Sequence, residues 1–129
     1  MKSNLFAKVG AIVYVLWGLL HLKAAQLVWQ ASQNLDVGFI QGRVQQLSWD
    51  LLFFAVFSIV VAVTMNWKNS RCGYWINLVV VSAADIGFIL FLLVPGHVPL
   101  NPGALGPIIW ILAVIFSTLG YRQASRQVW

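Results

Sequence analysis

The chain has little charge, one cysteine and no glutamate. Of its 129 residues, 8 are Lys or Arg and 3 are acidic, so charged residues make up only 9%. Soluble domains carry about 25% charged residues because they must wet a large surface. That shortage excludes an ordinary water-soluble domain. The single cysteine, Cys72, excludes an intramolecular disulfide and any redox motif built on paired cysteines. The net charge is +5, yet the basic residues are scattered and never form a run, so no nucleic-acid patch is present. No internal repeat is evident, which leaves an inverted-repeat transporter core without support. His21 and His97 have no partners at metal-ligand spacing, so no metal is expected. Gly103-x-x-Gly106 lacks the Lys-Ser/Thr pair of a phosphate loop. No nucleophile–base signature is visible, and the reading favours a non-enzymatic protein of unknown cofactor.

Apolar residues are what the chain has in excess: 60% of the total, with a mean hydropathy of +0.83. They fall into four stretches. A membrane span needs about 20 apolar residues, so four spans use roughly 80 and leave only short connections. The pattern predicts an all-α, integral membrane, antiparallel four-helix bundle, one domain over 1–129. Its helices are expected at about 9–29, 46–67, 74–94 and 105–121. The first stretch begins like a secretory signal, basic and then apolar, but His21-Leu22-Lys23-Ala24-Ala25 lacks a small-x-small cleavage site. It is read as a retained helix.

The connections differ in character. Residues 30–45 are polar and are expected as a loop with a short interfacial turn. Residues 66–73 form a compact basic turn, and 95–103 a proline- and glycine-rich break. Pro107 falls in the first turn of the fourth helix, where a missing N–H costs least.

Orientation follows from Lys and Arg. Lys2, Lys8, Lys68, Arg71, Arg122 and Arg126 lie on one side, against Arg43 and an upward-reaching Lys23 on the other. The expectation is both termini cytoplasmic, in the inner (plasma) membrane of a bacterium. Trp29 and Trp49 are expected near the outer interface, and Trp67, Tyr74, Trp75 and Tyr121 near the inner one. Trp17 and Trp110 lie deeper and are expected to pack between helices or against lipid.

Four ionisable residues fall within the spans: His21, Lys23, Asp50 and Asp85. A charge at the bilayer centre costs roughly 2.5–3.5 kcal/mol on insertion scales, so such groups are functional candidates. A rise of about 1.5 Å per residue puts Asp85 near the middle of the third helix and His21 at a similar depth. Lys23 and Asp50 form a second depth-matched pair further out. Residues two apart point about 200° away from each other, so His21 and Lys23 cannot share a neighbour. His21 is read as facing inward with Tyr14 and Trp17, and Lys23 as reaching towards the interface. A lumen facing Tyr14, His21, Gln46, Asp50, Ser82 and Asp85, roofed by Arg43, would be a polar pocket open to the outside. Asn77 is expected to bond across helices. Ala83 and Gly87 form a small-xxx-small pair, suited to packing within the bundle or in a homodimer.

Several readings of the cluster stand side by side. It is helix-packing glue, or a pocket for a lipid, quinone-like or other hydrophobic small molecule, or a proton or ion path using Asp85 and His21. The last has little beyond Asn77, Ser58 and Thr118 to continue it through the inner half.

The length, the four spans and the run Trp17-Gly18-Leu19-Leu20-His21 late in the first helix resemble the small bacterial four-helix membrane proteins of the DoxX-like type. The resemblance implies the same bundle and, for some members, a link with quinone-dependent respiratory complexes or redox stress; it implies no catalytic residue. The expected partners are therefore the lipid bilayer, a hydrophobic small molecule, and other copies or a larger membrane complex. The chain does not resemble small multidrug transporters, whose first helix carries an embedded glutamate.

Overall fold

The structure, a computed structural model, describes residues 3–126. Lys2, one of the six basic residues counted above, lies outside the described residues. All regular structure among the described residues is helical: α1 (Leu5–Ser32), α2 (Phe39–Val61), α3 (Arg71–Phe88), the single turn α4 (Leu100–Gly103) and α5 (Leu105–Arg126). One π-helical turn extends α2 over Ala62–Asn66 and another extends α3 over Ile89–Leu93. Four helices, Leu5–Ser32, Phe39–Asn66, Arg71–Leu93 and Leu100–Arg126, are long and apolar enough to cross a membrane.

Local chemistry explains the boundaries. Asn4 caps α1 by accepting from the Ala7 amide at 2.9 Å, and Ser70 caps α3 by accepting from Gly73 at 3.4 Å. Both are residue types whose short polar side chains satisfy the orphan amides of a first turn. The helices run further than the apolar stretches. The expected loop over 30–45 shrinks to 33–38, because α1 continues to Ser32 and α2 begins at Phe39. The added turns are polar, but Gln41 donates to the Ser32 carbonyl at 3.2 Å and satisfies the end of α1. Hydropathy marks what lipid must cover, not where the backbone stops being helical.

α1 is the hub, packed along its length against both α2 and α5. Small residues make this approach possible. A Cβ added at Gly120 would fall 2.6 Å from the Ala7 nitrogen, and one at Gly10 2.7 Å from the Ser117 nitrogen. On the α2 side, a Cβ at Gly18 would lie 2.9 Å from the Ala55 carbonyl oxygen. Without a hydrophobic drive between helices in lipid, close backbone packing of this kind holds a bundle together. The fully buried centre is Tyr14, Trp17, Ala62, Val81 and Ala113.

Residues far apart in sequence meet at one end of the bundle. The Gly120 carbonyl accepts from Asn4 at 2.9 Å and from Asn69 at 3.1 Å, while Ser3 donates to the Trp67 carbonyl at 2.8 Å. The Lys8 ammonium lies 5.5 Å above the Trp67 ring. Asn69 has φ 54°, a left-handed conformation that asparagine tolerates better than most residues. One aromatic expectation changes. Tyr74 is buried, stacked on Tyr121 at 4.5 Å, and its hydroxyl pairs with Thr118 at 3.1 Å. It is a packing residue, because its polar tip finds a partner within the bundle. Trp29, Trp49, Trp67 and Trp75 are exposed, as belt residues require.

Candidate functional site

The one buried ionisable residue on α3 between its two ends is Asp85, 1% exposed. One of its oxygens, Oδ2, accepts from the Trp17 indole Nε1–H at 2.5 Å. The other, Oδ1, is buried and has no hydrogen-bond partner. Trp17 is itself fully buried, so the bond is shielded from solvent.

His21 stands one turn along α1 from Trp17. Its ring stacks on the indole with centroids 3.8 Å apart and planes 23° apart. Its Nδ1 meets the Trp17 carbonyl at 2.8 Å. A carbonyl only accepts, so Nδ1 carries the hydrogen and Nε2 is left as the free nitrogen. The ring is half-buried and reaches from the interior to the surface.

α5 closes the third side. Gly106 is buried, and a Cβ placed on it would lie 3.4 Å from His21 Cε1 and 3.6 Å from Asp85 Oδ1. A turn further on, Trp110 donates to Ser82 at 2.9 Å, tying α5 to α3 beside the acid. Of the candidates read from sequence, Tyr14, Trp17, His21, Ser82 and Asp85 therefore lie within or against one buried cluster. Tyr14 and Trp17 belong to the fully buried centre.

Lys23, Arg43, Gln46 and Asp50 do not join it. All four are exposed. Lys23 donates to Gln26 at 2.9 Å and not to Asp50, and Arg43 donates to Gln46 at 2.6 Å in place of roofing a lumen. The expected lumen face of α2 is thus its outer face. The small residues Ser48, Ala55 and Ser58 turn inward instead, and Ser48 donates to the Ala25 carbonyl at 2.7 Å. Where α1 comes closest, at Gly18 against Ala55, the approach leaves no room for long polar side chains.

A separate groove opens between α1 and α2, with a volume of about 340 Å³. Leu22, Ala25 and Leu52 give it apolar walls, Gln26 and Gln45 contribute amides, and Trp29 and Trp49 flank it. Sequence reasoning missed its amides because Gln26 and Gln45 carry no charge. Gly106 was missed as a site residue too; the signal available was its place on the small-residue face of α5, with Ala113, Ser117, Gly120 and Ala124.

The lower half of the bundle has its own polar pair. Asn77 donates to Asn66 Oδ1 at 3.0 Å and to the Ser58 carbonyl at 3.3 Å, joining α3 to α2. Ala83 and Gly87 face away from the bundle: Ala83 is exposed, and nothing lies within 4 Å of a Cβ at Gly87. Among the described residues, no group of three or more His, Cys, Asp or Glu could hold a metal.

No protein-family model, curated protein or solved structure matches this chain.

Proposed function

We propose that this is a small, non-enzymatic, multi-pass protein of a bacterial inner membrane that binds an anionic phospholipid in the groove between α1 and α2. The helices are antiparallel and both termini are cytoplasmic. The support for the topology is the shared end of the bundle: the hydrogen bonds from Asn4 and Asn69 to Gly120 gather Lys8, Lys68, Arg71 and Arg122 at one level. Basic residues collect on the cytoplasmic side of membrane proteins.

One observation carries the ligand. The groove joins an apolar strip of Leu22, Ala25 and Leu52 to the amides of Gln26 and Gln45, with Lys23 bonded to Gln26 and Arg43 close by in sequence. That sequence of chemistries, apolar surface and then donors and cations, suits a lipid tail and a phosphate head. Trp29 and Trp49 sit where headgroups favour amphipathic rings. The DoxX-like resemblance of Trp17 to His21 adds the role of an accessory subunit in a larger membrane complex.

Native mass spectrometry of protein released from bacterial membranes tests the reading. The wild type should retain phosphatidylglycerol in preference to phosphatidylethanolamine, and a K23A/R43A variant should lose that preference. Equal retention of both lipids by the wild type overturns it. A second reading, proton- or ion-coupled transport, is favoured by the unpartnered oxygen of Asp85.

A further inference from the structure

The groove between α1 and α2 has a polar inventory that charge alone does not explain. Among the described residues that line it, none is charged; Gln26, Gln45 and Ser48 are the polar side chains of its wall, beside the two indoles. Each glutamine amide offers an acceptor oxygen and two N–H donors. The Lys23 ammonium donates to Gln26 Oε1 at 2.9 Å, so Gln26 meets a ligand with its N–H groups alone. Ser48 is 7% exposed, and its proton is committed to the Ala25 carbonyl at 2.7 Å. Gln45 differs from both. It is half-buried, and among the described residues its amide has no hydrogen-bond partner, so its acceptor and its donors are all open.

The Ser48–Ala25 bond sets the register of the two helices. From that bond towards the 33–38 connection, Gln26 lies one residue along α1 and Gln45 three residues along α2. A rise of about 1.5 Å per residue therefore puts the two amides within about 3 Å of each other in height. A phosphodiester has oxygens that only accept, and the N–H groups of Gln26, with Lys23 at its edge, suit it. The open acceptor of Gln45 has no use for a bare phosphate. It calls for an O–H or N–H carried next to that phosphate, and an ammonium would bring its charge beside the Lys23 ammonium.

We infer that the groove reads a hydroxyl as well as a charge: its occupant has a phosphopolyol headgroup, with the phosphate on the Gln26 amide and a polyol hydroxyl donating to Gln45 Oε1. This assignment rests on the phospholipid reading above and sharpens it. The labour is divided. Lys23 and Arg43 separate anionic lipids from zwitterionic ones. Gln45 separates anionic lipids whose headgroup carries a hydroxyl from those whose headgroup carries none.

Phosphatidylmethanol is the probe that tests it, since it has the charge of phosphatidylglycerol and no headgroup hydroxyl. The purified protein is offered an equimolar mixture of phosphatidylglycerol, phosphatidylmethanol and phosphatidylethanolamine with matched acyl chains, and native mass spectrometry measures what is retained. One uncharged hydrogen bond is worth about two- to tenfold, and the wild type should favour phosphatidylglycerol over phosphatidylmethanol by that factor. Q45M keeps the length of the side chain and removes the amide, and should bring the two to parity. Loss of its N–H donors weakens both lipids alike, because their phosphates are the same, so the ratio isolates the acceptor. If Q45M does not fold, the wild-type ratio alone decides. Equal retention of the two anionic lipids by the wild type, both above phosphatidylethanolamine, overturns the hydroxyl assignment and leaves the anionic-phospholipid reading standing. Equal retention of all three overturns both. A preference that survives in folded Q45M also overturns the assignment, because another group then reads the hydroxyl.

Discussion

Trp17 donates to Asp85 at 2.5 Å across 68 positions of sequence, and both side chains are sealed from solvent. The indole thereby satisfies one oxygen of the only ionisable acid buried among the described residues. Removing the donor should expose that dependence. W17F strands Oδ2 and should destabilise the protein by about 1–3 kcal/mol. W17F/D85L, which removes both partners, should lose less than the two single changes summed, with a coupling of about 0.5–3 kcal/mol. Reversible SDS unfolding of all four proteins measures it.

The close contact of α1 with α5 makes a second, steric prediction. G120A places a methyl 2.6 Å from the Ala7 nitrogen, and should destabilise by about 1–3 kcal/mol, as overpacking does. G87A meets nothing within 4 Å and should be neutral or stabilise by up to about 1 kcal/mol, the helix-propensity gain of alanine over glycine. Thermal unfolding in one detergent compares the pair.

Asn77 links α3 to α2 through Asn66 and the Ser58 carbonyl. N77A should cost about 0.6–2 kcal/mol, the range measured for interhelical hydrogen bonds in membranes. The same unfolding assay reads it. A loss far outside that range would mean the amide supports more than these two bonds.

Topology can be read from a single native probe. Cys72 is the sole cysteine and is exposed, in the first turn of α3. A membrane-impermeant maleimide should leave it unlabelled in intact cells and label it after permeabilisation. Labelling of intact cells would invert the proposed orientation.

Much of the fold was legible in sequence because each span is a long apolar run, and Asp85 interrupts its run in a way that hydropathy exposes. The depths of His21 and Asp85 follow from helical rise alone, and atoms of both lie within 3.6 Å of where a Gly106 Cβ would sit. The facing of α2 was not legible. Gln46, Asp50 and Phe54 form one stripe at i+4, but a stripe has no intrinsic direction until its neighbours are known. Its inner face was chosen by the closeness of α1, which admits Ser48 and Ala55 and rejects long polar side chains. The groove residues carry no charge, so nothing in composition singled them out. Tyr74 was misplaced for a related reason: an aromatic near a helix end suits a belt, and only its stack on Tyr121 reveals otherwise.

The hub position of α1 bears on how the chain is made. α1 leaves the ribosome before α5, yet Ala7 and Gly10 pack against Gly120 and Ser117 of α5. One face of the first helix must therefore wait in lipid, bare, while the rest is synthesised. Asp85 need not wait, because its donor Trp17 is already present when α3 enters. The acid is thus accommodated midway through biogenesis, and the arrival of α5, which brings Gly106, turns a tolerated polar group into an enclosed one.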